Sequence, residues 1–221
     1  MSSVARVHAT VTHEIERVAS SYIDAARTIP CSTLHEAGGR IGALPHAIKP
    51  VSPGWKLCGP AVTVHGPGGD NLWLHRAIYV AQPGDVLVVN VSGAFEYGYW
   101  GDIMTSAARK QGLGGLVIDG CVRDGAELVQ AGFPVFARGL AMRGTGKDFG
   151  AIGWINRPVL MGNITVSPGD LVTGDGDGVV VLPRDAAGTI IAAALAREAK
   201  EADVLRRIAA GERTVDIYGL N

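Results

Sequence analysis

Apolar residues recur along this chain at two different spacings, and the switch between them outlines its elements. Val11, Ile15, Val18, Tyr22 and Ile23 stand near helical spacing and predict a helix over residues 11–27. Thr33 and Glu36 match a capping box, which places a short helix there, ending at Gly38-Gly39. From Pro60 to His65 the run is β-branched and reads as a strand, and Asp70, after a glycine-rich turn, is placed to cap the helix NLWLHRAIYVA. Pro83-Gly84-Asp85 turns into a strand over 86–90, and a glycine- and aromatic-rich loop leads to a helix near 102–111. A strand at 115–120, a helix at 125–131 and a short strand from Phe133 follow. This alternation implies parallel strands joined by right-handed crossovers. From Pro158 to Leu182 strand follows strand, predicting an antiparallel meander, after which Asp185 opens a long helix to residue 210.

The chain has 221 residues and no linker-like stretch, which fits one mixed α/β domain with a C-terminal helical arm over 184–210. Its net charge is −1 without a Lys/Arg run, so neither nucleic acid nor an anionic membrane is an expected partner. No apolar run approaches the roughly 18 residues needed to span a bilayer. Cys31, Cys58 and Cys121 are odd in number and form no CxxC pair, which excludes a disulfide framework and fits a reducing, cytoplasmic setting. The 31 glycines mark many tight turns and loops where backbone must come close to something else.

Chemistry concentrates in two loops, around Asp102 and around Arg123-Asp124. Each follows an apolar strand and precedes a helix, and ligands of open α/β sheets bind beyond the carboxyl ends of the strands. The helix starting near Asp102 offers unpaired N–H groups to a carboxylate. An Arg fork suits a carboxylate or a developing enolate oxygen, and an Asp is a hard ligand for Mg²⁺ or Mn²⁺. The same pattern also fits a surface ion pair, with Asp124 and Asp102 as ordinary helix N-caps.

Asp102, twenty residues, then Arg123-Asp124, set in GYWGDIMTSAARKQGLGGLVIDGCVRD, resembles the D-x20-R-D signature of the class II pyruvate aldolases of the RraA-like family. The likeness continues through STLHEAGGRIG (32–42), GPAVTV (59–64), GDNLWLH (69–75), PGDVLVV (83–89), PGDLVTGDGDGVVVLP (168–183) and the tail at 196–220. It implies a single RraA-like domain of the swivelling β/β/α type, with a mixed sheet and a long C-terminal helix. The implied reaction is cleavage of 4-hydroxy-4-methyl-2-oxoglutarate or 4-carboxy-4-hydroxy-2-oxoadipate to pyruvate and a second keto acid. Oxaloacetate decarboxylation would share the enolate. On matching positions, the resemblance gives Asp124 to the metal and Arg123 to the pyruvyl oxygen. Asp102 would act through a metal-bound water, and the amides of Gly101, Ile103 and Met104 would take the pyruvate carboxylate. A carboxylate from a neighbouring subunit's terminal helix, Glu198 or else Glu201, would reach the metal through water, in a homotrimer or homohexamer. No Lys lies in these motifs, so Schiff-base chemistry is not expected. The same family includes proteins that bind and inhibit a ribonuclease, which leaves a non-catalytic regulator as the alternative.

Other signals read differently. His75 could contact substrate or simply pack on its helix, and Lys147 could meet a distal carboxylate. His35, Glu36 and His65 fit structural roles. Gly144-Thr145-Gly146-Lys147 lacks the Ser or Thr that a P-loop needs next, where Asp148 stands. Asp175-Gly176-Asp177-Gly178 lacks the rest of a calcium loop and reads as a hairpin turn.

Overall fold

A computed structural model describes residues 10–220 of the chain. Its centre is a mixed sheet in the order β1 (Lys49–Pro50), β6 (Val135–Ala137), β4 (Gly115–Ile118), β3 (Val86–Asn90), β2 (Leu57–His65), β11 (Leu171–Asp175), β12 (Gly178–Leu182). Strands β2, β3, β4 and β6 run parallel, while β11, β12 and β1 are antiparallel to their neighbours. β11 takes the first half of β2, and β8 (Trp154–Ile155) pairs with its far end at Val64 and His65. Lys49 on β1 donates to the Asp177 carbonyl in the β11–β12 turn, so the sheet is nearly closed.

Side-chain alternation assigns each strand two buried faces, which is why these strands are apolar almost throughout. Val62, Val64, Leu87, Val89, Leu116 and Ile118 face α3 (Leu72–Ile78) and α4 (Asp102–Lys110) in one core. Ala61, Val86, Val88 and Val117 face Ile48, Phe136, Met161 and Val172 inside the curl of the sheet. A third cluster joins Leu171, Val180 and Leu182 to α1 (Ser20–Ala26), α2 (Cys31–Ala37) and α6 (Ala187–Ala209). Helix α5 (Gly125–Ala131) returns the chain from β4 to β6, β5 (Cys121–Val122) pairs in parallel with β7 (Gly139–Leu140), and the short α7 (Thr214–Ile217) follows α6.

The recurring Pro-Gly-Asp is one turn used twice. Gly84 and Gly169 both have φ near +85° (87° and 83°), which the third position of a type II turn requires. In each copy the Asp carboxylate, Asp85 or Asp170, accepts the N–H three residues back, at 2.7 and 2.8 Å.

Four expectations change. The helix over 11–27 shrinks to Ser20–Ala26, because residues before it lie extended against the sheet. Thr12 N–H donates to the Ile155 carbonyl at 3.1 Å, Val18 N–H donates to Gly169 at 2.9 Å, and Arg17 forks onto the buried Asp85 carboxylate at 2.7 and 2.8 Å. Apolar residues three or four apart can bury from such a strap as well as from a helix. The capping box does not form: α2 begins after Pro30, and its first N–H, that of Cys31, donates to Asp175 on β11 at 2.9 Å. Thr33 donates instead to Glu198 at 3.3 Å, and Glu36 pairs with Arg197. The predicted meander is two separate units, since β9 (Val159–Met161) and β10 (Ile164–Val166) form their own hairpin while β11 joins β2. Finally, α6 starts at Ala187 without a side-chain cap, and Asp185 pairs with Arg184.

Candidate active site

Three crossover loops leave the carboxyl ends of β2, β3 and β4 and meet over the sheet. The loop after β3 is zipped to the loop after β4 by three backbone bonds: Cys121 N–H to Phe95 O (2.9 Å), Tyr99 N–H to Cys121 O (3.1 Å) and Arg123 N–H to Trp100 O (2.8 Å). Trp100 is fully buried, and its indole N–H donates to Thr105 in the first turn of α4 at 2.7 Å. The start of α4 and the Arg123-Asp124 pair are thus held in fixed register.

Two glycines admit the charged side chains. A Cβ at Gly98 would come within 2.9 Å of Arg123 Cβ, and one at Gly101 within 3.1 Å of Asp124 Cγ and 3.2 Å of Arg123 Cγ. Gly101 itself is extended, with φ −153°, so it is the space, and not the backbone angle, that demands glycine.

Asp124 decides between the ordinary N-cap and something more particular. It stands at the cap position of α5 in the left-handed region, φ 58° and ψ 45°, which costs a non-glycine residue about 1 kcal/mol or more. Its carboxylate makes no bond to α5. Oδ2 instead accepts the Asp102 N–H at the start of α4, 3.1 Å away and 22 residues distant in sequence, and lies 3.7 Å from Arg123 Nε. Among the described residues nothing hydrogen-bonds Oδ1. The amides of Ile103 and Met104 fall in the same first turn, where no intrahelical carbonyl can reach them.

These groups line a cleft of about 160 Å³ together with Gly98, Tyr99, Asn71, His75, Thr145 and Lys147. An engineered cavity of about 150 Å³ admits benzene, so a six-heavy-atom keto acid fits the deep part. A shallower depression lined by Leu140, Ala141 and Met142 shares Arg123 and Asp124. Burial, then the nearby Lys147 charge, lowers the His75 pKa from its ordinary value. The segment 145–147 is fixed by Gly146 N–H donating to Gly69 O at 2.7 Å.

Arg123, Asp124, Gly101, Ile103, Met104 and His75 therefore share one cleft, and Asp102 gives its main-chain N–H to Asp124 at the edge. Glu198 and Glu201 do not line it; they lie on α6, bonded to Thr33 and, at 2.8 Å, to Arg197. His35 and His65 are also elsewhere: His35 bonds the Ile41 carbonyl, and His65 stacks on Trp154 and bonds Asn90 at 3.1 Å. Lys147, weighed from sequence as a distal contact, lines the cleft. Asn71 and Thr145 were not singled out from sequence, and Asn71 carried no signal beyond its place in GDNLWLH.

A family model described as RraA-like, Aldolase/RraA, matches residues 19–181. The chain belongs to the Aldolase/RraA family. A relative from Halalkalibacterium halodurans named "Putative 4-hydroxy-4-methyl-2-oxoglutarate aldolase" is 35% identical over 180 residues, 81% of this chain and 85% of its own. Among solved structures, an uncharacterized protein from Pseudomonas syringae pv. tomato aligns with a TM-score of 0.77 at 31% identity, covering 90% of this chain and 97% of that one. Streptomyces coelicolor RraAS2, described as an unusual member of the RNase ES inhibitor RraA family, aligns with a TM-score of 0.76 at 29% identity, covering 86% and 98%.

The donor set of this Aldolase/RraA site fits a hard, largely hydrated cation better than a closed ligand shell. No three His, Cys, Asp or Glu side chains gather at a point among the described residues, so a closed zinc-type shell is not built by them. Mg²⁺ keeps several waters and takes one or two carboxylates, and Asp124, half-exposed with an unengaged Oδ1 at the cleft, fits that demand.

Proposed function

We propose that this chain is a divalent-cation-dependent aldolase that splits a 4-hydroxy-2-oxo acid into pyruvate and a second keto acid. The substrate is 4-hydroxy-4-methyl-2-oxoglutarate or 4-carboxy-4-hydroxy-2-oxoadipate, and oxaloacetate decarboxylation is a side activity. The observation that carries the reading is Asp124. A strained backbone holds a carboxylate away from its own helix, beside an arginine, in a cleft at the strand ends.

The chemistry assigns the rest. Breaking C3–C4 leaves two electrons on the pyruvyl fragment, tolerable only as an enolate with charge on the C2 oxygen, while the C4 hydroxyl gives its proton to water and becomes a carbonyl; a proton from water then returns to C3 of the enolate to give pyruvate. Arg123 donates to that C2 oxygen, where its fixed charge counts for more as negative charge grows. The Ile103 and Met104 amides, at the positive end of α4, take the C1 carboxylate. Asp102 anchors Asp124 through its own N–H. A Mg²⁺ or Mn²⁺ ion held by Asp124 would supply Lewis-acid stabilisation of the same oxygen. Asp102 and a neighbouring copy's Glu198 or Glu201 would reach it through water, in a homotrimer or homohexamer.

A second reading, a regulator that binds a ribonuclease, draws on the likeness to RraAS2. Pyruvate release from a panel of 4-hydroxy-2-oxo acids and oxaloacetate, with Mg²⁺ and with EDTA, separates the two. Metal-dependent release supports the aldolase. No pyruvate from any substrate overturns it.

A further inference from the structure

One residue that lines the cleft, Asn71, carries a buried polar atom that the proposed chemistry leaves unused. Asn71 is 7% exposed, and its backbone is pinned on both sides: its N–H donates to Gly146 O at 3.3 Å, and its carbonyl accepts His75 N–H at 3.2 Å. The side-chain amide is oriented too. Nδ2 donates to the Tyr99 carbonyl at 3.0 Å and points at Met104 Sδ, 3.6 Å away. A carbonyl and a thioether accept but cannot donate, so the nitrogen must be on that side and the oxygen on the other. Among the described residues that oxygen, Oδ1, has no hydrogen-bond partner. A buried acceptor left unpaired costs about 1–3 kcal/mol, so such an atom in a cleft marks where a ligand donor belongs.

The ligand class narrows the donor to one group. At neutral pH a 4-hydroxy-2-oxo acid of this class carries carboxylates and a ketone, which are acceptors only, and a single O–H. A carboxylate set against Oδ1 would be repelled; the hydroxyl alone can pair with it. We infer that Asn71 accepts a hydrogen bond from the C4 hydroxyl of the substrate and so selects hydroxy acids over keto acids that lack this group. The inference rests on the aldolase reading and adds a residue to it. Asn71 holds the O–H whose proton must leave, with Arg123 and the α4 amides fixing the pyruvyl end of the same molecule. A site built to pair a hydroxyl discriminates against analogues without one, because the buried partner is then left unsatisfied.

Oxaloacetate and 2-oxoglutarate have no C4 hydroxyl and serve as the comparison. In Asn71→Ala, kcat/KM for cleavage of 4-hydroxy-4-methyl-2-oxoglutarate should fall at least about tenfold. Oxaloacetate decarboxylation and 2-oxoglutarate inhibition should change only by what losing the Tyr99 tie costs, so the ratio of hydroxy-acid to oxaloacetate kcat/KM should fall at least about fivefold. A loss of the Tyr99 tie alone would lower both activities together, and thermal melting reports any general damage. Equal falls in both activities, or an unchanged hydroxy-acid rate, overturn the inference while leaving the aldolase reading in place. Wild-type protein that releases pyruvate from neither substrate overturns the aldolase reading itself, and the inference with it.

Discussion

Gly101→Ala is the perturbation that best separates the site from the fold. Because Gly101 is extended, alanine adopts its backbone without penalty, and no stability is lost to conformation. The added Cβ would overlap Asp124 Oδ2 and crowd Arg123 Cγ at 3.2 Å. The carboxylate sits at the end of a rotatable side chain, so it swings aside rather than unfolding the loop. What is lost is its bond to the Asp102 N–H, partly exposed and worth about 1 kcal/mol, which lowers the melting temperature of a chain this size by about 2–4 °C. The consequence for catalysis is larger, since misplacing a reacting group by about 1 Å costs on the order of a hundredfold. Pyruvate release coupled to lactate dehydrogenase reads the second effect, and thermal melting followed by circular dichroism reads the first. A double-mutant cycle then isolates the cause: in an Asp124→Ala background, Gly101→Ala should cost almost nothing in stability, a coupling near 1 kcal/mol. Activity within threefold of wild type, or a full stability cost in the Asp124→Ala background, would refute the reasoning.

Four further outcomes are expected. Asp124→Asn keeps an oxygen to accept the Asp102 N–H and should melt within a few degrees of wild type, yet lose metal-dependent pyruvate release; retained turnover in Mg²⁺ would contradict a ligand role. Arg123→Ala should lose about 3 kcal/mol or more of transition-state stabilisation, seen in kcat, and Arg123→Lys should restore little of it; an effect confined to KM would count against enolate binding. Arg17→Ala strands the Asp85 carboxylate, whose side chain is only 1% exposed, and should destabilise the fold by about 3–5 kcal/mol in urea titration; a loss below 1 kcal/mol would show that the pair is dispensable. Burial pushes the thiols of Cys31 and Cys58 up to about 12 and about 11, and that of Cys121 upward, so the thiolate forms are scarce at pH 8. Ellman's reagent should then label at most Cys121 in the native protein and all three cysteines in urea, whereas fast native labelling of two would contradict the burial.

How much of this was legible beforehand depends on the range of the interaction responsible. Strand β3 and helix α5 appear at the residues their patterns give, 86–90 and 125–131, since both are bounded by local turn chemistry. Arg123, Asp124 and the α4 amides stood out because a strand, a loop and a helix start are local signals. The Thr33–Glu36 capping box misled for the opposite reason: the helix starts two residues before Thr33, at Cys31, whose N–H is taken by Asp175, 144 residues away. Residues 11–19 misled likewise, as apolar spacing does not distinguish a helix from a strap pinned by Arg17 to Asp85 across 68 residues.

The central strands and the helices between them, the two Pro-Gly-Asp turns and the loops that carry charge are legible in the chain's own pattern. Apolar period and turn residues act over a few positions, so they are written locally. Where those charges point is set by packing: the Asp124 carboxylate turns from its own helix to Asp102, and the Asn71 amide is oriented by Tyr99, 28 residues on, leaving its oxygen without a partner among the described residues. A hydrogen-bonding group takes its direction from whatever partner the packed chain brings within about 3 Å, and that partner is chosen by the fold rather than by neighbours in sequence.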